Sequence, residues 1–222
     1  MFGYKVIRSQ RRTIGIYISR DKGVVVRAPY RAKETEIRKF VEQKSEWIEK
    51  HLARFEEMKS LSHSGINGER IMFRGKEYPV SVIQSNNISV TLKEGVIEIR
   101  TPDLDNKSAA KAIIELWYRK NAEVILRNIF HSVLVRYSHK NFRPTHLTIR
   151  KMKGKWGSCT SRGRITLNSD LIKLDDSLTE YVITHELCHL NEPNHGQDFY
   201  ALLGELSPQW QELRNRLKEY II

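Results

Sequence analysis

The segment His185-Glu186-Leu187-Cys188-His189 constrains this chain of 222 residues more than any other feature. Upstream, Ser177-Leu178-Thr179-Glu180 has the form of a capping box, which predicts a helix that starts there and runs to about residue 191, with Pro193 as its stop. On such a helix, residues four apart project about 40° apart and one turn along the axis, so His185 and His189 can aim both imidazoles at one point. Glu186 projects about 60° from His189, near that point but displaced from it. Leu178, Tyr181 and Val182 share the histidine face, while Ile183, Leu187 and Leu190 form a second apolar face roughly opposite. A helix apolar on both sides is buried, and two buried imidazoles need partners; a metal ion satisfies both at once. The bland alternative is a pair of hydrogen-bonded core histidines beside a surface glutamate.

A catalytic zinc takes three protein ligands and keeps a position open for water. His195 is the natural third ligand, because it follows across Asn191-Glu192-Pro193-Asn194 and Pro193 cannot continue the helix. The pattern is the zincin arrangement, with His185, His189 and His195 on the metal and Glu186 as the general base that activates water. The expected cofactor is Zn2+, although imidazole ligands also accept other divalent transition metals such as iron, cobalt or nickel. Asp198 could orient His195 or be a solvated helix acid. Cys188 reads as a small buried thiol rather than a ligand.

Around this segment the pattern predicts an α+β chain. Residues 4–28 alternate as short strands with an Asp21-Lys22-Gly23 turn, and a helix follows over about 33–58, then a polar loop over 60–68. A second strand series runs from Arg70 to Arg100, with turn signals at Arg74-Gly75-Lys76, Asn86-Asn87 and Glu94-Gly95. Composition then shifts: residues 108–138 hold no Gly or Pro and predict one long helix. The expectation is an antiparallel strand-rich region over 1–104 and a small zincin-like catalytic domain over 105–222. The latter would hold the long helix, a short sheet with strands at about 145–153 and 163–168, the HExxH helix, and C-terminal helices at about 196–205 and from Ser207-Pro208.

No run of about eighteen apolar residues is present, so no membrane partner is expected. Residues 1–12 lack the apolar core and cleavage site of a signal peptide, and two cysteines, Cys159 and Cys188, are too few for a disulfide framework; both observations point to the cytoplasm. The formal net charge is +12, and residues 143–164 carry seven Lys or Arg and no acid. Such a field suits an anionic or phosphorylated substrate or nucleic acid, or is plain solubility charge.

His185-Glu186-Leu187-Cys188-His189-Leu190, Asn194-His195-Gly196 and Phe199 resemble the YgjP-like metallopeptidase-domain family. So do Arg150-Lys151-Met152-Lys153, Trp156-Gly157-Ser158-Cys159 and Ile165-Thr166-Leu167-Asn168 upstream. The resemblance covers about residues 75–222, and is distantly similar to the SprT-like and WLM-type metallopeptidases. It implies a gluzincin-type core of a few strands, a long helix, the HExxH helix and a C-terminal helix. Metzincins share the histidine spacing but carry Gly where this chain has Glu192, and no Met-turn signature follows His195.

The resemblance implies a peptidase, and members are also described as nucleotide pyrophosphohydrolases. In zincins an edge strand beside the metal pairs with an extended substrate. Trp156, Gly157, Ser158 and Cys159 are candidates for that strand, Gly157 by allowing close backbone approach and Ser158 by a hydrogen bond, or they form a packed strand end with Trp156 in the core. Asn168, Arg150 and Lys153 are further candidate substrate residues, or ordinary strand residues. Three functions follow: a zinc metallopeptidase acting on unstructured polypeptide, a metal-dependent nucleotide pyrophosphohydrolase, and a nucleic-acid-associated protein docking through its basic half. Residues 1–60 carry fifteen Lys or Arg against eight acids, but hold no known nucleic-acid motif.

Overall fold

A computed structural model describes residues 3–19, 23–49, 52 and 69–220. The expected Asp21-Lys22 turn, the loop over 60–68 and the end of the 33–58 helix lie outside these residues. The chain forms two compact units, Met1–His63 and Ser64–Ile222. The boundary expected near residue 104 falls inside the second unit.

In the first unit, β1 (Tyr4–Ser9), β2 (Gly15–Ser19) and β3 (Gly23–Pro29) form a sheet in the order β1-β3-β2. Its pairing corrects the expectation of a purely antiparallel region: β1 runs parallel to β3, with Val6 opposite Val26, and only β2 is antiparallel to it. Val24, Val26 and Ala28 pack with Ile37 and Val41 of α1 (Glu34–Gln43) and with Ile48. The predicted helix is interrupted by a turn at Lys44 and is helical again over 45–49.

The second unit opens with a sheet in the order β4-β5-β7-β6, from β4 (Arg70–Phe73), β5 (Lys76–Gln84), β6 (Ser89–Lys93) and β7 (Val96–Thr101). Arg74-Gly75 and Glu94-Gly95 both have positive φ at two successive residues between paired strands, the geometry of tight hairpin turns. The parallel β5–β7 pair at its centre again departs from antiparallel pairing. The long helix α2 (Lys107–Arg136) is capped by Asn106, whose side chain accepts from the Ala109 N–H at 2.9 Å. It buries Ile114, Tyr118, Ala122, Leu126 and Phe130, one residue per turn, against the common core.

The third sheet has the order β8-β10-β9, from β8 (His146–Arg150), β9 (Gly157–Cys159) and β10 (Arg164–Asn168). β10 pairs parallel with β8 and antiparallel with β9, which leaves β9 as an edge strand. A 3-10 turn over Ser169–Lys173 leads into α3 (Asp176–Cys188), followed by α4 (Gln197–Leu206) and α5 (Trp210–Leu217). Pro208 lies in the turn before α5 rather than in its first helical turn.

The start of α3 also differs from the sequence reading. Asp175, not Ser177, caps it: the Asp175 carboxylate accepts from the Leu178 N–H at 3.0 Å. Glu180 instead pairs with Arg136 of α2 through contacts of 2.6 and 3.2 Å. Asp175 wins because tertiary contacts hold it there. The β4–β5 turn docks on this helix start, with Arg74 N–H donating to Ile172 O at 2.9 Å, Gly75 N–H to Lys173 O at 3.1 Å, and Arg74 paired with Asp176. Those bonds, with Tyr118 Oη donating to Met72 O, are why strands β4–β7 belong to the same unit as α3. No helix among the described residues is long and apolar enough to cross a membrane.

Candidate metal centre and cleft

α3 is buried on almost every side, from Leu178 to Cys188, as its two apolar faces require. Its last two turns carry His185 and, at the C-cap, His189; the loop beyond returns through His195 to the start of α4. One ligand nitrogen from each of these three histidines lies within 4.8 Å of the other two. Ring centroids are 5.0 Å apart for His185 with His189, 5.0 Å for His185 with His195, and 4.6 Å for His189 with His195.

The protonation state of the rings suits a metal. Burial, reinforced by the neighbouring imidazoles and Arg214, pushes the His185 pKa down to about 4, and burial also lowers His195. Both rings are therefore neutral at pH 7 and offer lone pairs. His189 Nδ1 lies 3.1 Å from the Glu192 carbonyl, which can only accept, so Nδ1 carries the proton and Nε2 is free to ligate. His185 Nε2 and His195 Nε2 are 3.1 Å apart, and His185 Nδ1 is buried without a hydrogen-bond partner. Two nitrogens bound to one zinc at about 2.0–2.1 Å stand little more than 3 Å apart, so the trio fits a divalent ion of this kind. Cys188 is buried, its thiol pushed up to about 12 by burial, and both cysteines are free. Asp198 is exposed in the first turn of α4, with no hydrogen bond to His195 among the described residues.

Glu186 is 6% exposed, and burial raises its pKa to about 7 against the opposing pull of Lys155. It lines a cleft of about 280 Å³ together with Lys155, Trp156, Gly157, Tyr181 and His185. β9 forms one wall. A Cβ on Gly157 would lie 2.7 Å from both Cγ and Oε1 of Glu186, so glycine is what lets the strand approach the carboxylate. Alternation places Cys159 on the same side, where burial and then the Glu186 charge raise its thiol, and turns Ser158 to the opposite face. Trp156 lines the cleft and also packs against the core.

Asn168 is elsewhere in role. It is fully buried, its amide donating to Met152 O at 3.1 Å and Lys155 O at 2.9 Å and its oxygen accepting from the N–H groups of Met152 and Asp170. With its hydrogen-bonding capacity spent on backbone, it holds the loop that leads into β9 and offers nothing to a substrate. Arg150 and Lys153 are exposed, and neither lines the cleft.

The roles of two aromatic rings escaped the sequence reading, although Phe199 stands among the residues that carry the family resemblance. Phe199 is fully buried beneath the histidines, with ring centroids 4.6–5.0 Å from all three. Tyr200 stacks between His195 and Trp210, at 6.2 and 5.0 Å. The spacing from His195 to Phe199 and Tyr200 was the available signal, but it does not say which ring packs beneath the three histidines.

The profile of the family described as YgjP-like, metallopeptidase domain, matches residues 12–220. Among solved structures, the chain is similar to the metallopeptidase zymogen of Methanocaldococcus jannaschii jannalysin, at 24% identity over 42% of this chain and 94% of that one, TM-score 0.37. It is also similar to the metallopeptidase zymogen of Pyrococcus abyssi abylysin, at 19% identity over 41% of this chain and 90% of that one, TM-score 0.37. No curated protein matches.

Proposed function

The chain belongs to the YgjP-like metallopeptidase-domain family, a family of metal-dependent hydrolases, and from that premise we propose that it is a zinc-dependent peptidase. The observation that carries the reading is the convergence of His185, His189 and His195 within 4.8 Å, beside a buried carboxylate one residue along α3. In this reading the three imidazoles hold the ion. A zinc held there would supply a bound water of pKa about 7 and a Lewis acid for a carbonyl oxygen.

Glu186 is the general base. With its pKa near 7, the carboxylate takes a proton from the attacking water as the new C–O bond forms, then releases it to the leaving amine as the C–N bond breaks. Its burial keeps solvent from competing for that proton. Among the described residues no strand pairs with the outer edge of β9, and backbone groups there can meet an extended polypeptide, which supports an unstructured segment as the substrate. Two free thiols accord with a reducing compartment, and we place the protein in the cytoplasm.

The test is a substrate screen on metal-loaded wild type and Glu186→Gln, with metal content measured on both. Cleavage of unstructured peptides that falls by about 10²–10⁴-fold in Glu186→Gln, at equal metal content, is the expected result. Nucleoside triphosphates and nucleic acids belong in the same screen. Pyrophosphate release by wild type without any peptide cleavage would replace the peptidase reading.

A further inference from the structure

Three separate elements build the cleft beside Glu186. Tyr181 and Val182 come from α3, Trp156 from the loop that leads into β9, and Leu217 from the end of α5. Lys155 is the one charged side chain in the lining that takes no part in the chemistry, and it is exposed. The wall formed by the other four is apolar or aromatic. Tyr181 and Val182 are buried, and Trp156 and Leu217 are half-buried against the common core.

Helix geometry fixes where this wall stands relative to the reacting bond. Tyr181 precedes His185 by four residues, and Val182 precedes Glu186 by four. Both therefore lie one turn, about 6 Å, toward the start of α3 from the metal ligand and the base. The Tyr181 and His185 rings are 6.2 Å apart. A leucine or phenylalanine side chain spans that interval from a backbone at the reacting bond, and an alanine does not. The cleft holds about 280 Å³, just below the range of about 300–1,000 Å³ for pockets that enclose a whole small molecule. It is the size for one side chain of a longer substrate.

We propose that Trp156, Tyr181, Val182 and Leu217 form a specificity subsite that receives the side chain of a residue next to the scissile bond and selects leucine or phenylalanine over small and charged residues. The proposal rests on the peptidase reading above and adds the substrate class to it. An apolar side chain that enters releases water from its own surface and from that of the wall. An alanine leaves the wall wet, and a charged side chain gives up its hydration with only Lys155 to meet it. Leu217 sets the capacity without touching the chemistry, because it stands on α5, outside the helix that carries His185 and Glu186.

The experiment uses the full metal-loaded chain and unstructured fluorescent peptides in which each of two central residues in turn is Phe, Leu, Ala, Glu or Lys. Binding to Glu186→Gln is read by anisotropy, and kcat/KM is read on wild type. At one of the two positions Phe or Leu is favoured over Ala, Glu and Lys by about tenfold or more in both readouts. Leu217→Trp, which fills the cleft, reduces or reverses the preference for Phe over Ala. Leu217→Ala, which enlarges it, raises Phe relative to Leu, and this gain is one that misfolding does not produce. Both variants are measured in the wild-type and Glu186→Gln backgrounds. Equal affinity across the series, or no binding of any peptide, overturns the proposal. So does a preference for Glu or Lys, or a preference for Phe that is unchanged in both Leu217 variants. If Glu186→Gln shows the preference and its dependence on Leu217 but wild type cleaves no peptide, the subsite stands and the peptidase reading falls. Cleavage with no preference keeps the peptidase reading and removes the subsite.

Discussion

Gly157 faces Glu186 so closely that a methyl group on its α-carbon would stand 2.7 Å from both Cγ and Oε1 of the glutamate. The atoms met are the far end of a flexible side chain, so the strand can stay and the carboxylate must move. Gly157→Ala is therefore expected to fold, with a melting temperature within about 4 °C of wild type, because only one side chain shifts. Its kcat/KM falls by about 10²-fold, since a displacement of about 1 Å at a catalytic group has that effect. A variant with wild-type turnover would show that the position of Glu186 is not what the reaction requires.

Metal binding should follow the three histidines. Wild type is expected to carry one zinc per chain by elemental analysis, and His185→Ala, His189→Ala and His195→Ala to carry little. Chelation lowers the melting temperature, because an ion that binds only the folded state at about 100 times its Kd stabilises by about 2.7 kcal/mol. Stoichiometric zinc in all three variants would place the ion elsewhere.

Asn168 makes a different prediction from the one its place in the sequence invites. Asn168→Ala leaves the part-buried Met152 N–H, Met152 O and Lys155 O without their Asn168 partner and is expected to cost about 1–3 kcal/mol in urea unfolding. Activity falls with it, because this loop carries Lys155 and Trp156 to the cleft. A raised KM at unchanged stability would instead assign Asn168 to the substrate.

Asp175 holds the start of the metal-site helix. Beyond capping Leu178 it accepts from Arg216 at 2.6 Å and from the Ser177 hydroxyl; burial pushes its carboxyl up, but the Ser177 hydroxyl, the Leu178 N–H and the Arg216 charge outweigh it and hold the carboxyl below the ordinary range. Asp175→Ala is expected to lose about 0.5–2 kcal/mol, the usual effect of removing an N-cap. A melting curve superimposable on wild type would mean the cap contributes nothing.

Stability should also fall with acid through Asp170. Burial pushes this carboxyl up, but Lys173 and Lys151 outweigh it and hold it below its ordinary value. A folded pKa below the unfolded one gives stability that is present above the unfolded value of about 3.9 and is lost as pH falls through the folded value. The melting-temperature gap between wild type and Asp170→Asn is thus constant from pH 7 to about 5 and closes below about 4. A gap independent of pH would remove these ion pairs as its source.

The sequence by itself determined the local geometry of the site. Four-residue spacing on a helix brings His185 and His189 to one face, Pro193 turns the chain toward His195, and apolar residues on both faces bury α3. The long α2 and the hairpin turns at Gly75 and Gly95 were legible for the same reason: each depends on residues within a few positions of one another. Tertiary structure decided what depends on distant partners. It chose Asp175 over Ser177 as the cap, because Arg216 and the β4–β5 turn meet there. It paired β1 with β3, β5 with β7 and β8 with β10 in parallel, joined β4–β7 to the metal-site unit, and placed Gly157 against Glu186. Asn168 shows the reason most directly: a polar side chain at a strand end reads the same whether it meets substrate or backbone, and only the neighbouring elements determine which groups it must satisfy.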